Sequence, residues 1–217
     1  RKFYVACKAC TVCDGVECAG KVPGIGGIGT GSAFTENLTA LARYQVNLRT
    51  IHGVKIPETS VELFGHKLAF PVLAAPITGM ETNLAEGMDE REYADAILDG
   101  CLECGTLGMV GDGASPKKYL IGLEAIKKRG GLGIPIFKPR EYNLDIIKRF
   151  KAAEDAGAIA VGIDIDAASF KTMSLKGQAV GPKTIAELQE LKSHLKVPFI
   201  LKGIMNVESA LAAIEAG

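Results

Sequence analysis

Val197-Pro-Phe-Ile-Leu-Lys-Gly-Ile-Met-Asn-Val-Glu-Ser-Ala-Leu-Ala-Ala-Ile-Glu-Ala-Gly217 decides the fold class. Pro198–Leu201 is a short apolar run suited to a buried strand. Lys202-Gly203 turns the chain, and Val207–Glu215 follows as a helix with an apolar stripe. In an α/β barrel such junctions gather at one end, where the chemistry is kept. A lysine leaving an apolar strand is costly to bury unless an anion or a cofactor meets it. Otherwise its ammonium snorkels to solvent. Lys202 is the first candidate for chemistry.

Upstream the same unit recurs. Strands are expected at Pro71–Ala75, Thr106–Val110, Ile134–Phe137 and Ala158–Asp164, with helices at Asp89–Cys104, Pro116–Arg129, Asn143–Ala156 and Thr184–His194. The strands are continuous apolar runs, the pattern of a parallel sheet covered on both faces. Gly105, Gly130, Gly157 and Gly217 stand where helix C-caps turn the chain. The first strand runs into Pro76-Ile-Thr-Gly-Met rather than a Gly-x-Gly-x-x-Gly turn, which argues against a dinucleotide-binding sheet. The expected fold is α/β: a (β/α)8 TIM barrel of which about the first five units are present.

Before the barrel the character changes. Residues 1–33 are rich in cysteine and then in glycine (Gly24–Gly31), and form an expected extension ahead of the barrel part at 34–217. Residues 34–52 look helical, with Leu38, Leu41 and Ala42 on one face, and Glu62–Lys67 holds a hairpin-like Phe-Gly-His turn.

Twenty-five basic residues balance twenty-five acidic ones, so neither nucleic acid nor an anionic membrane is the expected partner. The longest apolar runs, such as Phe70–Pro76, are too short to span a bilayer. No secretory signal opens the chain, and a cytoplasmic location is expected. The first residue is Arg1 rather than Met, so the biological start is expected elsewhere.

The residues of the first and fifth barrel strands carry a resemblance. Thr59-Ser-Val-Glu-Leu-Phe-Gly-His-Lys-Leu-Ala-Phe-Pro-Val-Leu-Ala-Ala-Pro76, the Leu48-Arg49-Thr50-Ile51 approach and Pro198-Phe-Ile-Leu-Lys-Gly-Ile204 are similar to the FMN-dependent 2-hydroxy-acid oxidases and dehydrogenases, the glycolate oxidase and lactate oxidase group. The resemblance implies an enzyme that oxidises a small 2-hydroxy acid to the 2-oxo acid by transferring two electrons to FMN. It places Ala75, Pro76, Ile77 and Thr78 against the flavin, and Lys202 at the flavin N1/O2 edge, where a cation stabilises the anionic reduced ring. It gives Asp164 the role of the aspartate that orients the catalytic histidine; the plainer reading of Asp164 and Asp166 is loop capping.

The departures set this chain apart. Where the family shows aromatic–Gln–Leu–Tyr, the chain has Phe137-Lys138-Pro139-Arg140, so Lys138 replaces a flavin-binding glutamine and Arg140 a substrate-binding tyrosine. Gly111–Ser115 replaces a hydroxyl-rich loop. Lys171 stands near the place of the substrate-gripping arginine, although a lysine offers no bidentate fork. The family's catalytic histidine and its FMN phosphate site would lie past Gly217, so the chain is expected to be the N-terminal portion of a longer protein. His52, His66 and His194 are expected at the surface.

Cys7, Cys10, Cys13 and Cys18 place four soft ligands in one short segment, a spacing that suits a [4Fe–4S] cluster or structural Zn²⁺; unliganded thiols are the alternative. Cys101 and Cys104, three residues apart on an apolar helix, are expected to pack. An electron-transfer protein partner and a homo-oligomer, tetrameric by analogy, complete the leading expectation. The alternatives are another FMN barrel enzyme, such as a type 2 isopentenyl diphosphate isomerase or the FMN domain of glutamate synthase, and a non-catalytic metal-binding barrel fragment.

Overall fold

The computed structural model of the chain describes residues 10–20, 26, 27, 29–80 and 87–217. It divides into two compact units, one of residues 1–59 with 81–88 and one of residues 60–80 with 89–217.

In the first unit the glycines let backbone meet backbone. Gly27 N donates to Gly15 O at 2.9 Å. Gly15 has φ 76°, and a Cβ on it would come within 2.7 Å of Gly27 N. Any side chain there would collide with the backbone it faces. Helix α1 spans Ser32–Ala42. It begins and ends earlier than the helix expected over residues 34–52, and residues 44–50 have no regular structure. Their run of Val46, Asn47 and Thr50 is poor in helix formers.

The second unit opens with an antiparallel hairpin, β1 (Val61–Leu63) against β2 (His66–Leu68). Phe64 and Gly65 form its two-residue turn, both at positive φ (51° and 77°), the backbone that a tight hairpin of this hand requires. Then come β3 (Ala74–Ile77), α2 (Glu90–Glu103), β4 (Gly108–Val110) and α3 (Pro116–Lys128). They are followed by β5 (Ile134–Phe137), α4 (Asn143–Asp155) and β6 (Val161–Asp164). A 3₁₀ turn at Ile165–Ser169 and short α5 (Lys171–Leu175) precede α6 (Ile185–Ser193), β7 (Phe199–Lys202) and α7 (Val207–Glu215).

β3 to β7 form one parallel sheet in chain order. A doubly wound sheet would reverse its order at a switch point; unbroken order is the winding of a (β/α)8 barrel. Five β/α units of that barrel are present. β3 runs Ala74–Ile77, three residues later than the expected start at Pro71, because Pro71 has no N–H for a ladder and β3 meets β4 only from Ala74. β7 extends one residue further, through Lys202.

The caps follow the sequence. Asp89 with Glu92, and Thr184 with Glu187, form capping boxes on α2 and α6, and Pro116 opens α3. Gly105, Gly130, Gly157 and Gly217 all take positive φ.

The strands present two different faces. Phe137, Val161 and Ile163 are fully buried and pack with Ile146 and Phe150 of α4, and Leu188 of α6, in the main core. Ile134, Ile136 and Ala160, with Ile200 and Met109, form a second cluster on the opposite, inner side. In register, Ile136 stands beside Gly162 and Gly162 beside Ile200. Gly162 is required there: a Cβ would lie 2.6 Å from Ile136 Cδ1 and 2.8 Å from Ile200 O.

Candidate active site

That inner layer determines what stands above it. Strand residues alternate faces, so two residues beyond Ile136, Gly162 and Ile200 the chain must present Lys138, Asp164 and Lys202 on the same face. Asp164 is paired directly with Lys202, and Phe137 with Ile163, which sets Lys138 level with Asp164. Three ionisable residues, separated by 26 and 38 positions, therefore emerge side by side at the C-terminal ends of three adjacent strands.

Asp164 is shared. Lys138 Nζ donates to Oδ2 and Lys202 Nζ to Oδ1, each at 2.5 Å. Burial pushes the Asp164 carboxyl up, but the hydrogen bonds from Lys138 and Lys202 outweigh it and hold it at about 2. The ammoniums differ in access: the Lys138 side chain is 16% exposed and that of Lys202 38%. Lys138 is also roofed by Phe170, with Nζ 5.1 Å from the ring centroid. Lys202 is thus the cation with an open side. Asp166, in the 3₁₀ turn, is pushed up by its partial burial and by its hydrogen bond with Asp164. The Lys202–Gly203 turn needs its glycine, since Gly203 has φ 91° and a Cβ would lie 2.4 Å from Asp166 Cγ.

Arg140 is placed elsewhere than its expected role against substrate. It is 3% exposed, and its guanidinium donates to Asp112 Oδ2 (2.8 Å), Gly113 O (2.9 Å) and Gln178 Oε1 (2.7 Å). Asp112 also accepts from Lys138 N at 3.1 Å. Arg149, from α4, approaches Asp112 at 3.8 Å and stacks on Tyr119. Burial lowers the Arg149 pKa, opposed by Asp112. Arg140 is an anchor: it ties the end of β5 to the loop after β4 and to residue 178 beyond β6.

Ala75, Pro76 and Ile77 lie in β3 at the same end of the sheet, with Ile77 49% exposed. Thr78 follows them, and its hydroxyl donates to Glu90. Lys171 opens α5 and is exposed. A partly open ammonium on a sheet end that also offers exposed apolar surface suits a flat ring with an electron-rich edge.

His52 and His194 are exposed and His66 is half-buried at the start of β2. Cys101 is half-buried, and burial pushes its thiol up; Cys104 caps α2 and is exposed. Cys7 and Gly24 lie outside the described residues. Cys10, Cys13 and Cys18 are free thiols, and among the described residues no group of three or more His, Cys, Asp or Glu is placed to hold a metal ion. Among the described residues no helix is long and apolar enough to cross a membrane.

Asp112 and Glu90 have no counterpart among the sequence expectations. Asp112 sits in the noted Gly111–Ser115 departure, which was the available signal. Glu90, an acidic residue in the first turn of a helix, carries none.

Residues 25–185 match the FMN-dependent dehydrogenase family model. The 4-hydroxymandelate oxidase of Amycolatopsis orientalis is 26% identical, over 88% of this chain and 61% of its own length. The L-lactate oxidase of Lactobacillus jensenii is 24% identical, over 85% of this chain and 50% of its own. The crystal structure of mandelate oxidase with 3,3-difluoro-2-hydroxy-3-phenylpropionic acid superposes with a TM-score of 0.66 at 26% identity, covering 88% of this chain and 58% of that one. The chain therefore spans between half and about three fifths of the relatives it matches.

Proposed function

The chain belongs to the FMN-dependent dehydrogenase family, and from that premise we propose that it binds FMN and serves the oxidation of a small 2-hydroxy acid to the 2-oxo acid. The observation that carries this reading is the Asp164 carboxylate held between Lys138 and Lys202 at the strand ends. FMN, when bound, supplies the acceptor for the electron pair that leaves the substrate carbon with its hydrogen, while the hydroxyl proton goes to a base. The chain's own residues prepare the charge. Lys202, the more exposed ammonium, offers fixed positive charge where negative charge accumulates. Asp164 remains ionised and keeps both ammoniums in place. Ala75–Ile77 supply apolar surface for the ring. Lys171, being exposed, is the residue of this chain proposed to meet the substrate carboxylate.

Two free cations at Lys138 and Arg140 would suit the diphosphate of an isopentenyl diphosphate isomerase. Arg140 is buried against Asp112, which favours the smaller, singly charged 2-hydroxy acid. The reading is tested by titrating the purified full-length protein with FMN and then adding lactate, glycolate and mandelate without oxygen. Bleaching of the visible flavin bands by a 2-hydroxy acid supports it. A wild-type protein that takes up no FMN sinks it.

The run Cys7, Cys10, Cys13 and Cys18 is proposed, on its spacing alone, to take a [4Fe–4S] cluster or Zn²⁺ and to pass electrons to a protein partner. Metal analysis of anaerobically purified protein, against a variant with all four cysteines changed to serine, tests it. A cytoplasmic location and a homo-oligomer belong to the same proposal, checked by fractionation and by light scattering.

A further inference from the structure

The turn that follows β3 is held from two sides. Glu90, the first residue of α2, accepts the Thr78 hydroxyl on Oε1. Its other oxygen, Oε2, accepts Gly79 N at 2.8 Å and Met80 N at 3.1 Å. Gly79 has φ 90°, a left-handed backbone that brings the two successive amides onto that one oxygen. On the opposite side stands Gly111, just past β4. A Cβ at Gly111 would come within 3.0 Å of Thr78 Cγ2 and 3.5 Å of the Ile77 carbonyl carbon. Thr78 thus has its hydroxyl fixed by Glu90 and its methyl seated against a glycine. Three bonds to one side-chain carboxyl group are far more than a helix needs at its first position, where one capping contact suffices. α2 already has that contact, from Asp89.

We propose that Glu90 is a positioning residue, whose carboxylate presents the Ala75–Thr78 turn to bound FMN. The inference rests on the FMN reading and adds a residue to it. Its chemical logic is that of a latch between a helix start and a strand end. Glu90 sets the level at which the backbone after Pro76 leaves the sheet, and a turn displaced by a fraction of an ångström meets a rigid ring differently.

Glu90→Gln tests the latch with the smallest change of shape: one oxygen can still accept the two amides, but the negative charge is lost and the bond with the Thr78 hydroxyl must reverse its direction. Thr78→Val removes the hydroxyl and keeps the methyl against Gly111. Each variant is titrated with FMN alongside the wild-type full chain, reading the dissociation constant, the visible flavin spectrum and the reduction potential, with thermal melting in parallel. The expected result for Glu90→Gln is FMN binding about tenfold weaker, with a shifted visible band and potential. Thr78→Val shifts both in the same direction, and the double variant loses less than the sum of the two. Variants that melt lower yet bind FMN with wild-type affinity, spectrum and potential overturn the proposal and leave a purely structural clamp. A wild-type chain that takes up no FMN overturns the functional reading instead, and the proposal with it.

Discussion

Arg140 Nη2 donates to Asp112 Oδ2 across 2.8 Å, with the two side chains 4% and 0% exposed. An ion pair so far from water depends on the hydrogen bonds around it, and these leave Asp112 Oδ1 and Arg140 Nε buried without a partner among the described residues. Arg140 finds further acceptors in Gly113 O and Gln178 Oε1, and Asp112 a further donor in Lys138 N. Changing Asp112 to Ala leaves a buried guanidinium without its counter-charge, and is expected to cost about 3–5 kcal/mol in urea denaturation. Asp112→Asn keeps an acceptor for Lys138 N and is expected to cost less. An alanine variant within about 0.5 kcal/mol of wild type refutes this account of the anchor.

Asp164 makes stability depend on acid. Its carboxyl is held at about 2, below the ordinary value of 3.8. The folded state therefore releases this proton more readily than the unfolded state. The contribution is fully present above about pH 4 and is lost as pH falls through about 2, of order 2 kcal/mol in all. Urea midpoints at pH 5 and pH 2.5 are expected to differ more for wild type than for Asp164→Asn. Equal differences in the two proteins contradict the assignment.

The two lysines that share Asp164 are expected to separate by function. Lys202→Met removes the ammonium with the open side and is expected to weaken FMN binding and lower the flavin potential. Lys138→Met removes the one roofed by Phe170 and is expected to act mainly on folding stability. Parallel FMN titrations and melting curves check the division, and a larger loss of FMN affinity in the Lys138 variant reverses it.

Gly162 holds the inner layer beneath the site. A Cβ there would press on Ile136 Cδ1 and on Ile200 O, one of which is backbone and cannot rotate away. Gly162→Ala is expected to destabilise by about 1–3 kcal/mol, measured by denaturant unfolding, despite alanine's better backbone entropy. A stabilised variant would mean that β5 and β7 yield at this level.

Thr184 tests the local caps. Its hydroxyl accepts from Glu187 N at 3.2 Å and donates to Glu187 Oε2 at 2.8 Å, closing the N-terminus of α6. Thr184→Ala is expected to cost about 1 kcal/mol by thermal or urea unfolding, without change in ligand binding.

Much of the fold was legible because its signals are local. α7 spans Val207–Glu215 as its apolar stripe predicts, the strand at Ile134–Phe137 lies where a continuous apolar run puts it, and β7 lies one residue beyond the expected Pro198–Leu201. The glycines after the helices mark turns because only glycine takes their left-handed backbone cheaply. The 3₁₀ turn and α5 after β6 were not legible, since five residues apiece are too few to show a period.

The amino-acid sequence by itself determined the alternation of strand and helix, and it placed a lysine, an aspartate and a lysine just where three of those strands end. Periodicity and turn chemistry act over a few residues, so a linear reading captures them. Only the tertiary structure decided the partners. Parallel register set Lys138 and Lys202 on the two oxygens of one carboxylate, and the loop after β4 gave Arg140 a buried partner in Asp112, 28 positions away. Whether a charge meets solvent, ligand or counter-charge depends on strands brought together from distant positions, and no local pattern records that meeting.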